Sequence, residues 1–401
     1  MRISTAQMYQ STSASITSKQ ADLARLQDQL STGKRIAHLA DDPAAAANAS
    51  SLRSDLAANT QFEQNRQIAN QRLSFSENTL GTVVDTLQSV REMLVGAGNG
   101  GLSDADRQTF AGQLKESLDT LVGLANTSDG EGGYLFGGFR QDAPPFVATA
   151  NTVTYVGDDG ARTINVSPTR SVVTAYAGAD VFSRIPDGNG VFTTAAGAAN
   201  TGTGTIDAGH VANAAALTGD SYEIRFQAGG SGTTYDIWDA TSSTMISSGT
   251  AYTAPAAIAL PGMSVRIDGN PAAGDKFEVA PSGTQDIFTT LREAINVLAA
   301  PTLGNVTKVS NGLRTALTNL DQALTHVSDV RGTAGARMNE LDRLGTLGSA
   351  RDVDIQGTLS KLEDVDYVQA ISDFTVGQQG LQAALSTYSK IAKTTLFDYI
   401  R

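Results

Sequence analysis

Residues 73–94 of the chain read LSFSENTLGTVVDTLQSVREML. Leucine recurs at every seventh position of this stretch, and valines fall on the intervening helical turns. Such spacing is typical of an amphipathic helix whose apolar stripe packs against another helix. A second stripe with the same period lies near the other end of the chain, at Val306, Leu313, Leu320, Val327 and Leu341, with Leu317, Leu324 and Met338 between them. We therefore expect the two ends of the chain to pair as helices.

Helix signals at the N-terminal end predict three segments. The first covers residues 5–32 and ends at Gly33, which suits the residue after a helix. Asp42 and Pro43 predict the start of a second, because aspartate can cap a helix and proline has no N–H to leave unpaired. This helix is expected to reach about Val95. A third helix, capped by Ser103, is expected to fold back on the second as a hairpin.

The middle of the chain, from about residue 130, changes to short alternating runs separated by glycine-rich turns, which predict strands. The low-complexity stretch 193–209 is expected to be a mobile loop. Helix is predicted again from Asp286 to about Gly345, with a break near Pro301, and then, after a looser segment, from Asp364 to the end. The predicted strands are residues 152–156, 163–166, 222–226, 235–238, 264–267 and 276–279.

The predicted fold class is α+β. Its N- and C-terminal segments form a long α-helical bundle or coiled-coil rod, and a mainly-β outer domain is inserted between them. We expect three domains. They are a terminal helical polymerisation domain (1–42 plus 360–401), a helical rod domain (43–140 plus 285–359) and the inserted β-rich outer domain (141–284).

The composition limits the classes of partner. With 29 basic and 41 acidic residues, the net charge of −12 disfavours nucleic acid and anionic lipid, so neither nucleic acid nor membrane is expected. No apolar run approaches the ~20 residues that span a bilayer. The first residues lack an apolar signal core and the chain has no cysteine, yet the middle, rich in glycine, threonine, serine and alanine, is typical of an extracellular β-domain. This combination favours a dedicated export route, and a cytosolic protein that happens to lack cysteine stays open as the alternative.

Candidate chemical groups are few and scattered. His38, His210 and His326 fall in separate predicted segments, so no metal site is expected. The stretch 187–190 (Asp-Gly-Asn-Gly) lacks most ligands of a calcium loop and is interpreted as a turn. The acidic stretch 363–366 is interpreted as capping the last helix. We predict no enzyme activity, no catalytic residue and no cofactor.

The outermost helices are expected to need a further surface, because two helices alone bury too little apolar area to be well ordered. We therefore predict that their apolar residues pack against neighbouring copies of the chain. These candidate assembly residues are Ile16, Leu23, Leu26, Leu30, Phe374, Leu381, Leu385, Tyr388, Leu396 and Phe397.

Several short motifs at both ends resemble the flagellin superfamily. Each motif is weak alone, but their order and position make the combination specific over roughly residues 1–140 and 285–401. Asp41-Asp42-Pro43 and the closing Leu396-Phe397-Asp398-Tyr399 are more similar to the hook–filament junction branch than to filament-forming members. The other motifs are MRIST (1–5), QLSTGKRI (29–36), ANT (125–127), GYLFGG (133–138), DIF (286–288), GARMN (335–339) and LSKLEDVDY (359–367).

The resemblance implies a structural part of the bacterial flagellum. The expected role is a ring of identical subunits between hook-associated protein 1 and the flagellin filament. It implies unfolded export through the flagellar type III apparatus, without a cleaved signal, by way of a chaperone that engages the C-terminal region. The expected location is therefore extracellular.

Three alternatives remain at this stage. A purely cytosolic coiled-coil scaffold is the least favoured, because it leaves the middle, rich in glycine and threonine, unexplained. A divergent flagellin that forms the filament itself would share both ends. A filament-displayed enzyme or adhesin housed in the insert would require a concave site with converging polar side chains.

Overall fold

The computed structural model describes residues 5–130, 132–140, 142–230, 232–302 and 306–393. The helices of this part are α1 (Thr5–Thr32), α2 (Pro43–Ala97), α3 (Asp104–Ala125), α4 (Ile287–Ala299), α5 (Val306–Glu363) and α6 (Tyr367–Lys393). Helical terminal regions thus flank an inserted, mainly-strand region, which confirms the predicted fold class. The strands are β1 (Phe146–Ala148), β2 (Val153–Tyr155), β3 (Thr163–Ser167), β4 (Arg170–Val173), β5 (Ile185–Pro186), β6 (Phe192–Ala196), β7 (Thr205–Ile206), β8 (His210–Val211), β9 (Tyr222–Gly229), β10 (Gly232–Asp239), β11 (Thr244–Ala251), β12 (Ala256–Leu260), β13 (Met263–Asp268), β14 (Lys276–Pro281) and β15 (Thr284–Gln285).

The chain divides into two compact units. The first, unit 1, takes its described residues from 5–64 and 343–393, and the second, unit 2, lies within 65–342. The three-domain boundaries expected from the sequence stay a prediction.

Local signals set the helix ends as the sequence predicts. Gly33 ends α1 with a φ of +71°, which favours glycine, and its N–H donates to the Gln29 carbonyl at 2.9 Å. Asp42 caps α2 by accepting a hydrogen bond from the Ala45 N–H at 3.0 Å. Ser103 and Asp106 form a reciprocal capping box at the start of α3. The backbone of α3 lies closer to α4 than to α2. The prediction that α3 folds back on α2 as a hairpin therefore gives only part of the packing around α3.

The leucine stripe of α2 forms the centre of the helical core in unit 2. Leu73, Leu80, Leu87 and Leu94 are all buried, with at most 1% of each residue exposed. Full burial of a leucine side chain contributes about 1.5–3 kcal/mol. The α5 stripe is buried as well, at Leu313, Leu320, Val327 and Leu341. An aromatic cluster of Phe136, Phe146, Phe182 and Phe288 continues this core, with ring centroids 5.2–6.0 Å apart.

The inserted region builds a second core between two sheets. One sheet has the strand order β11-β10-β9-β14-β6, and the other has β12-β13-β7, with β8 also pairing with β13. Two copies of a Gly-Asp-x-aromatic-Glu pattern, at 219–223 and 274–278, each lead into one of the neighbouring strands β9 and β14. Glu223 and Glu278 lie opposite each other in that antiparallel pair. Buried side chains of this core include Phe192, Tyr222, Phe226, Ile258 and Phe277.

Two sequence predictions are wrong. The stretch 193–209 is not a loop throughout, because β6 pairs with β14 and β7 pairs with β13. Asp275 also fixes this stretch by accepting hydrogen bonds from the N–H groups of Thr201 and Gly202. The second error is the looser segment after Gly345, where α5 continues to Glu363.

Tertiary contacts explain the longer α5. Residues 345–357 include glycines and several polar residues, so the apolar spacing of a helix is weak in this stretch. In unit 1, however, the Asn59 side-chain amide donates to the Gly348 carbonyl at 2.9 Å and to Asp352 at 2.7 Å. Ile355 is buried on the same segment. These contacts outweigh the low helix propensity of glycine.

Candidate assembly surface

Helices α1 and α6 of unit 1 pack against each other in antiparallel orientation. The rings of Tyr9 and Tyr388 meet edge to face, with centroids 5.8 Å apart. Further along, Leu23 lies over Gly377, where an added Cβ would be 3.1 Å from the leucine Cδ2. A small residue at this point of α6 therefore lets the two helices approach.

Seven of the candidate assembly residues follow this seam as half-buried side chains. On α1 these are Ile16, Leu23, Leu26 and Leu30, and on α6 they are Phe374, Leu381 and Tyr388. Leu385 differs because it is 44% exposed. Leu396 and Phe397 lie outside the described residues.

The seam gives only partial burial. Of the described side chains in α1, at residues 7 and 9–32, none is buried. Among those described in α6, at residues 367–390, only Ala370 is buried. Two helices without a third layer cannot enclose their apolar residues. The α1–α6 pair is therefore the least enclosed helical packing in the described part of unit 1.

Several large apolar side chains of α6 point away from the seam. Val368 is 82% exposed, Val376 is 65% exposed and Ile371 is 54% exposed. We call these three, together with Leu385, the outer residues of α6. Unit 2 carries a smaller exposed pair on α2, Ile68 and Phe75, which are one heptad apart. Among the outer residues of α6, Val368 and Ile371 are three positions apart and so lie on one face of the helix. A contiguous apolar face of this kind is typical of protein–protein contact surfaces.

An ion-paired cluster joins the end of α5 to the segment after α1. One carboxylate oxygen of Glu363, which is 8% exposed, lies 2.6 Å from Arg53 and 3.3 Å from Lys34. The Glu363 carbonyl also accepts from the Arg35 N–H at 2.6 Å. The sequence interpretation of this acidic stretch as capping is therefore incomplete. Asp366 does cap α6, accepting from the N–H groups of Val368 and Gln369, whereas Glu363 neutralises two cations.

The loop between α1 and α2 is closed by Asp41. Its carboxylate accepts hydrogen bonds from the N–H groups of His38 at 2.8 Å and Ala37 at 3.1 Å. The bond from His38, supported by that from Ala37, holds the pKa of Asp41 below its usual value. The motifs around residues 33–43 and 359–367 thus meet in unit 1 as one structural junction.

Sequence reasoning missed Gly377, Arg53 and the pairing role of Glu363. Gly377 could have been found from its place between Phe374 and Leu381, where a seam position of the helix carries no side chain. The Arg53–Glu363 contact joins residues 310 positions apart and has no local sequence signal.

A cavity of about 520 Å³ in unit 2 lies between the insert and helices α4 and α5. Its walls are rich in alanine and glycine. Several polar residues at its edge already bind the surrounding structure. Lys308 donates to the Ala198 carbonyl, Asn311 bonds to Gly204 and Ile206, and Glu293 accepts from Gln285. These contacts attach the insert to the helices.

Other chemical candidates stay apart. A ring nitrogen of His326 lies 2.6 Å from the Asp180 carbonyl oxygen. In the stretch 187–190, the carboxylate of Asp187 accepts hydrogen bonds from the Ser282 hydroxyl and the Gly283 N–H. In the ranges that the structure describes, no three histidine, aspartate or glutamate residues are grouped to hold a metal ion. No helix in those ranges has the length and hydropathy to cross a membrane.

The chain is similar to flagellar proteins at both ends and over its whole length. The model of the "bacterial flagellin N-terminal helical region" matches residues 3–141, and that of the "bacterial flagellin C-terminal helical region" matches residues 317–400. Flagellar hook-associated protein 3 of Salmonella typhimurium is 30% identical over 408 residues, which cover 100% of both chains.

A solved structure gives the same relationship. The flagellar junction protein FlgL from Legionella pneumophila aligns with a TM-score of 0.73 and 30% identity, over 79% of this chain and 100% of that one. Flagellin of Bacillus subtilis, in contrast, is 27% identical over only 35% of this chain and 47% of its own length. The full-length match, together with the two matching helical regions, shows that the chain belongs to the flagellar hook-associated protein 3 family.

Proposed function

We propose that the chain is the hook–filament junction subunit of a bacterial flagellum. In this role it forms a ring of identical subunits between hook-associated protein 1 and the flagellin filament. One observation carries the proposal: the match to hook-associated protein 3 covers both chains completely, insert included. The alternative of a divergent flagellin is disfavoured because the flagellin match covers about a third of the chain.

The incomplete burial of the terminal helices supports an assembly role. The outer residues of α6 and the α2 pair Ile68 and Phe75 offer apolar area that a neighbouring subunit could cover. Burying such area releases about 25 cal/mol per Å². The half-buried seam between α1 and α6 would gain a third layer from the same neighbour. The role is structural rather than catalytic, in keeping with the names of the relatives.

The further partners follow from the same role. The subunit leaves the cell unfolded through the flagellar type III apparatus, with an export chaperone engaging its C-terminal region, and it resides outside the cell. A chain without cysteine suits this route, because no disulfide can form before export.

The decisive experiment is electron microscopy of a strain that lacks the gene, combined with an assay for flagellin in the medium. A junction subunit predicts hooks without filaments and monomeric flagellin in the medium. Normal filaments would instead indicate a minor flagellin. Hooks without any secreted flagellin would indicate a role in export or regulation. Complementation with the intact gene should restore filaments and is the control.

A further inference from the structure

The chain contains three asparagines that are each followed by glycine: Asn99, Asn189 and Asn311. This dipeptide is chemically labile, because glycine has no side chain to shield its main-chain nitrogen or to restrict the backbone. That nitrogen can attack the side-chain carbonyl carbon of the preceding asparagine. The structure places the three dipeptides in very different surroundings.

Asn99 lies in the exposed turn between α2 and α3. Nothing lies within 4 Å of the position that a Cβ of Gly100 would occupy, so the attacking residue is uncovered. Within the described part of the chain, the Gly100 N–H donates no hydrogen bond. The Asn99 side-chain oxygen accepts a hydrogen bond from the Gly101 N–H at 3.1 Å. All three asparagine oxygens accept such a bond, so within the described residues the difference at Asn99 lies in its exposed side-chain nitrogen and in the unengaged N–H of Gly100.

The Asn189 side chain is held from both ends. Its nitrogen donates to the carbonyls of Ala208 at 3.1 Å and Gly209 at 3.3 Å, and its oxygen accepts from the N–H groups of Val191 and Phe192. The attacking nitrogen is engaged too, because the Gly190 N–H donates to the Asp187 carbonyl at 3.1 Å.

Asn311 is enclosed within α5 and is 8% exposed. Its nitrogen donates to the Gly204 carbonyl at 3.0 Å, and its oxygen accepts from the Ile206 N–H at 3.2 Å. Both Asn311 and Asn189 therefore require local opening of the structure before the reaction can begin.

We propose that Asn99 is the site of spontaneous deamidation in this protein. The Gly100 nitrogen forms a bond to the Asn99 side-chain carbon, and the bond from that carbon to the amide nitrogen breaks. Ammonia leaves with the proton that Gly100 loses, and a succinimide ring remains. Water then opens the ring to aspartate or isoaspartate, without any oxidation or reduction.

The product changes the end of α2. A carboxylate appears two residues after Ala97, the last residue of the helix, where the negative end of the helix dipole disfavours it. Isoaspartate also lengthens the main chain by one carbon within a tight turn. Both products would accumulate with the age of the polypeptide.

The test is to incubate the full-length protein at mildly alkaline pH and to follow its tryptic peptides by mass spectrometry in isotopically heavy water. Peptides 92–107, 185–225 and 309–314 report on the three sites separately. We expect Asn99 to react at least about tenfold faster than the other two. Asn189 and Asn311 must first open locally, and an opening free energy of only about 1.4 kcal/mol already slows a reaction tenfold. The Gly100→Ala variant should slow the reaction at Asn99 alone.

A parallel incubation in denaturant isolates the contribution of the fold. All three sites should then react at similar rates, because each keeps its glycine and loses its protection. Equal rates in the native protein would overturn the proposal. A preference for Asn99 that persisted unchanged in denaturant would also overturn it, since local sequence would then set the order.

Discussion

Replacing Leu385 with aspartate should separate assembly from folding. The residue is 44% exposed and lies outside the seam between α1 and α6. The covered remainder of the side chain contributes about 1 kcal/mol to folding, so the isolated variant should stay folded and melt only a few degrees below the parent. In the assembly, a neighbouring subunit is expected to cover this side chain.

The expected loss of assembly follows from that burial. Full burial of leucine contributes about 1.5–3 kcal/mol, so covering the exposed 44% contributes about 1 kcal/mol. An unpaired buried carboxylate costs several kcal/mol more. A combined loss of about 3 kcal/mol or more per contact lowers the association constant at least ~100-fold.

The measurement is restoration of filaments and swimming in the deletion strain, alongside thermal melting of each purified variant. Leu385→Ala should lose much less, since it removes area without adding charge. Met245→Asp is the matched control, because Met245 is 53% exposed on the insert and lies outside the terminal helices. Normal filaments with Leu385→Asp would refute the reasoning. Equal failure of Met245→Asp would show that the effect is not specific to α6.

Four further predictions concern the fold. Gly312→Ala should destabilise unit 2 by about 1–2 kcal/mol, since the new Cβ would lie 2.6 Å from Val297 Cγ2. The control is Gly332→Ala on the same helix, whose new Cβ meets nothing within 4 Å and which should stabilise the helix by up to ~1 kcal/mol. Urea unfolding of both variants measures the two effects. Glu363→Ala should lower the free energy of unfolding by about 2 kcal/mol, a value between those of exposed and buried ion pairs. A double-mutant cycle of Glu363 with Arg53 should show a coupling energy. The same cycle on the exposed Asp22–Arg25 pair is the control and should show none. Asn319→Ala should lower the free energy of unfolding by about 1–3 kcal/mol, because it leaves the Gly188 N–H unpaired. The neighbouring Thr318→Ala removes only a hydrogen bond within its own helix and should be close to neutral in the same urea unfolding. Because the pKa of Asp41 is lowered in the folded protein, ionised Asp41 contributes to the stability of the fold. This stability should be fully present above the pKa of Asp41 in the unfolded chain, and it should be lost as the pH falls through the pKa in the folded protein. An NMR titration that gives Asp41 a pKa equal to or above that of an ordinary aspartate would contradict this.

The helical part of the fold is largely predictable, because its signals are local. The end of α1 at Gly33 and the caps at Asp42, Ser103 and Asp286 follow from residue types within one turn of each helix end. The stretch 346–363 was missed because its glycines have low helix propensity, and the contact of Asn59 with Gly348 has no local signal. The strand β6 was missed for a similar reason, since a run of threonine and alanine becomes a strand only beside β14.

The seam residues of α6 show where sequence reasoning about the candidate site ends. Leu381 is followed by apolar residues three and four positions later, and either spacing fits one face of a helix. The structure places Ala384 in the half-buried seam and leaves Leu385 more exposed. The partner helix α1 makes this choice, because Leu23 occupies the space over Gly377 and fixes the rotation of α6.

Equal heptad spacing leads to unequal burial in the two units. The leucines of α2 are almost fully buried because α5 and the helices around it enclose them. Leu23 and Leu30 of α1, also seven residues apart, pack chiefly against α6 and stay half-buried. The number of surrounding layers, rather than the spacing itself, therefore decides how much free energy each stripe releases within one chain. A stripe that releases little in the monomer has more to release on association. This difference lets unit 2 have a complete core while the terminal helices of unit 1 keep apolar area for a neighbour.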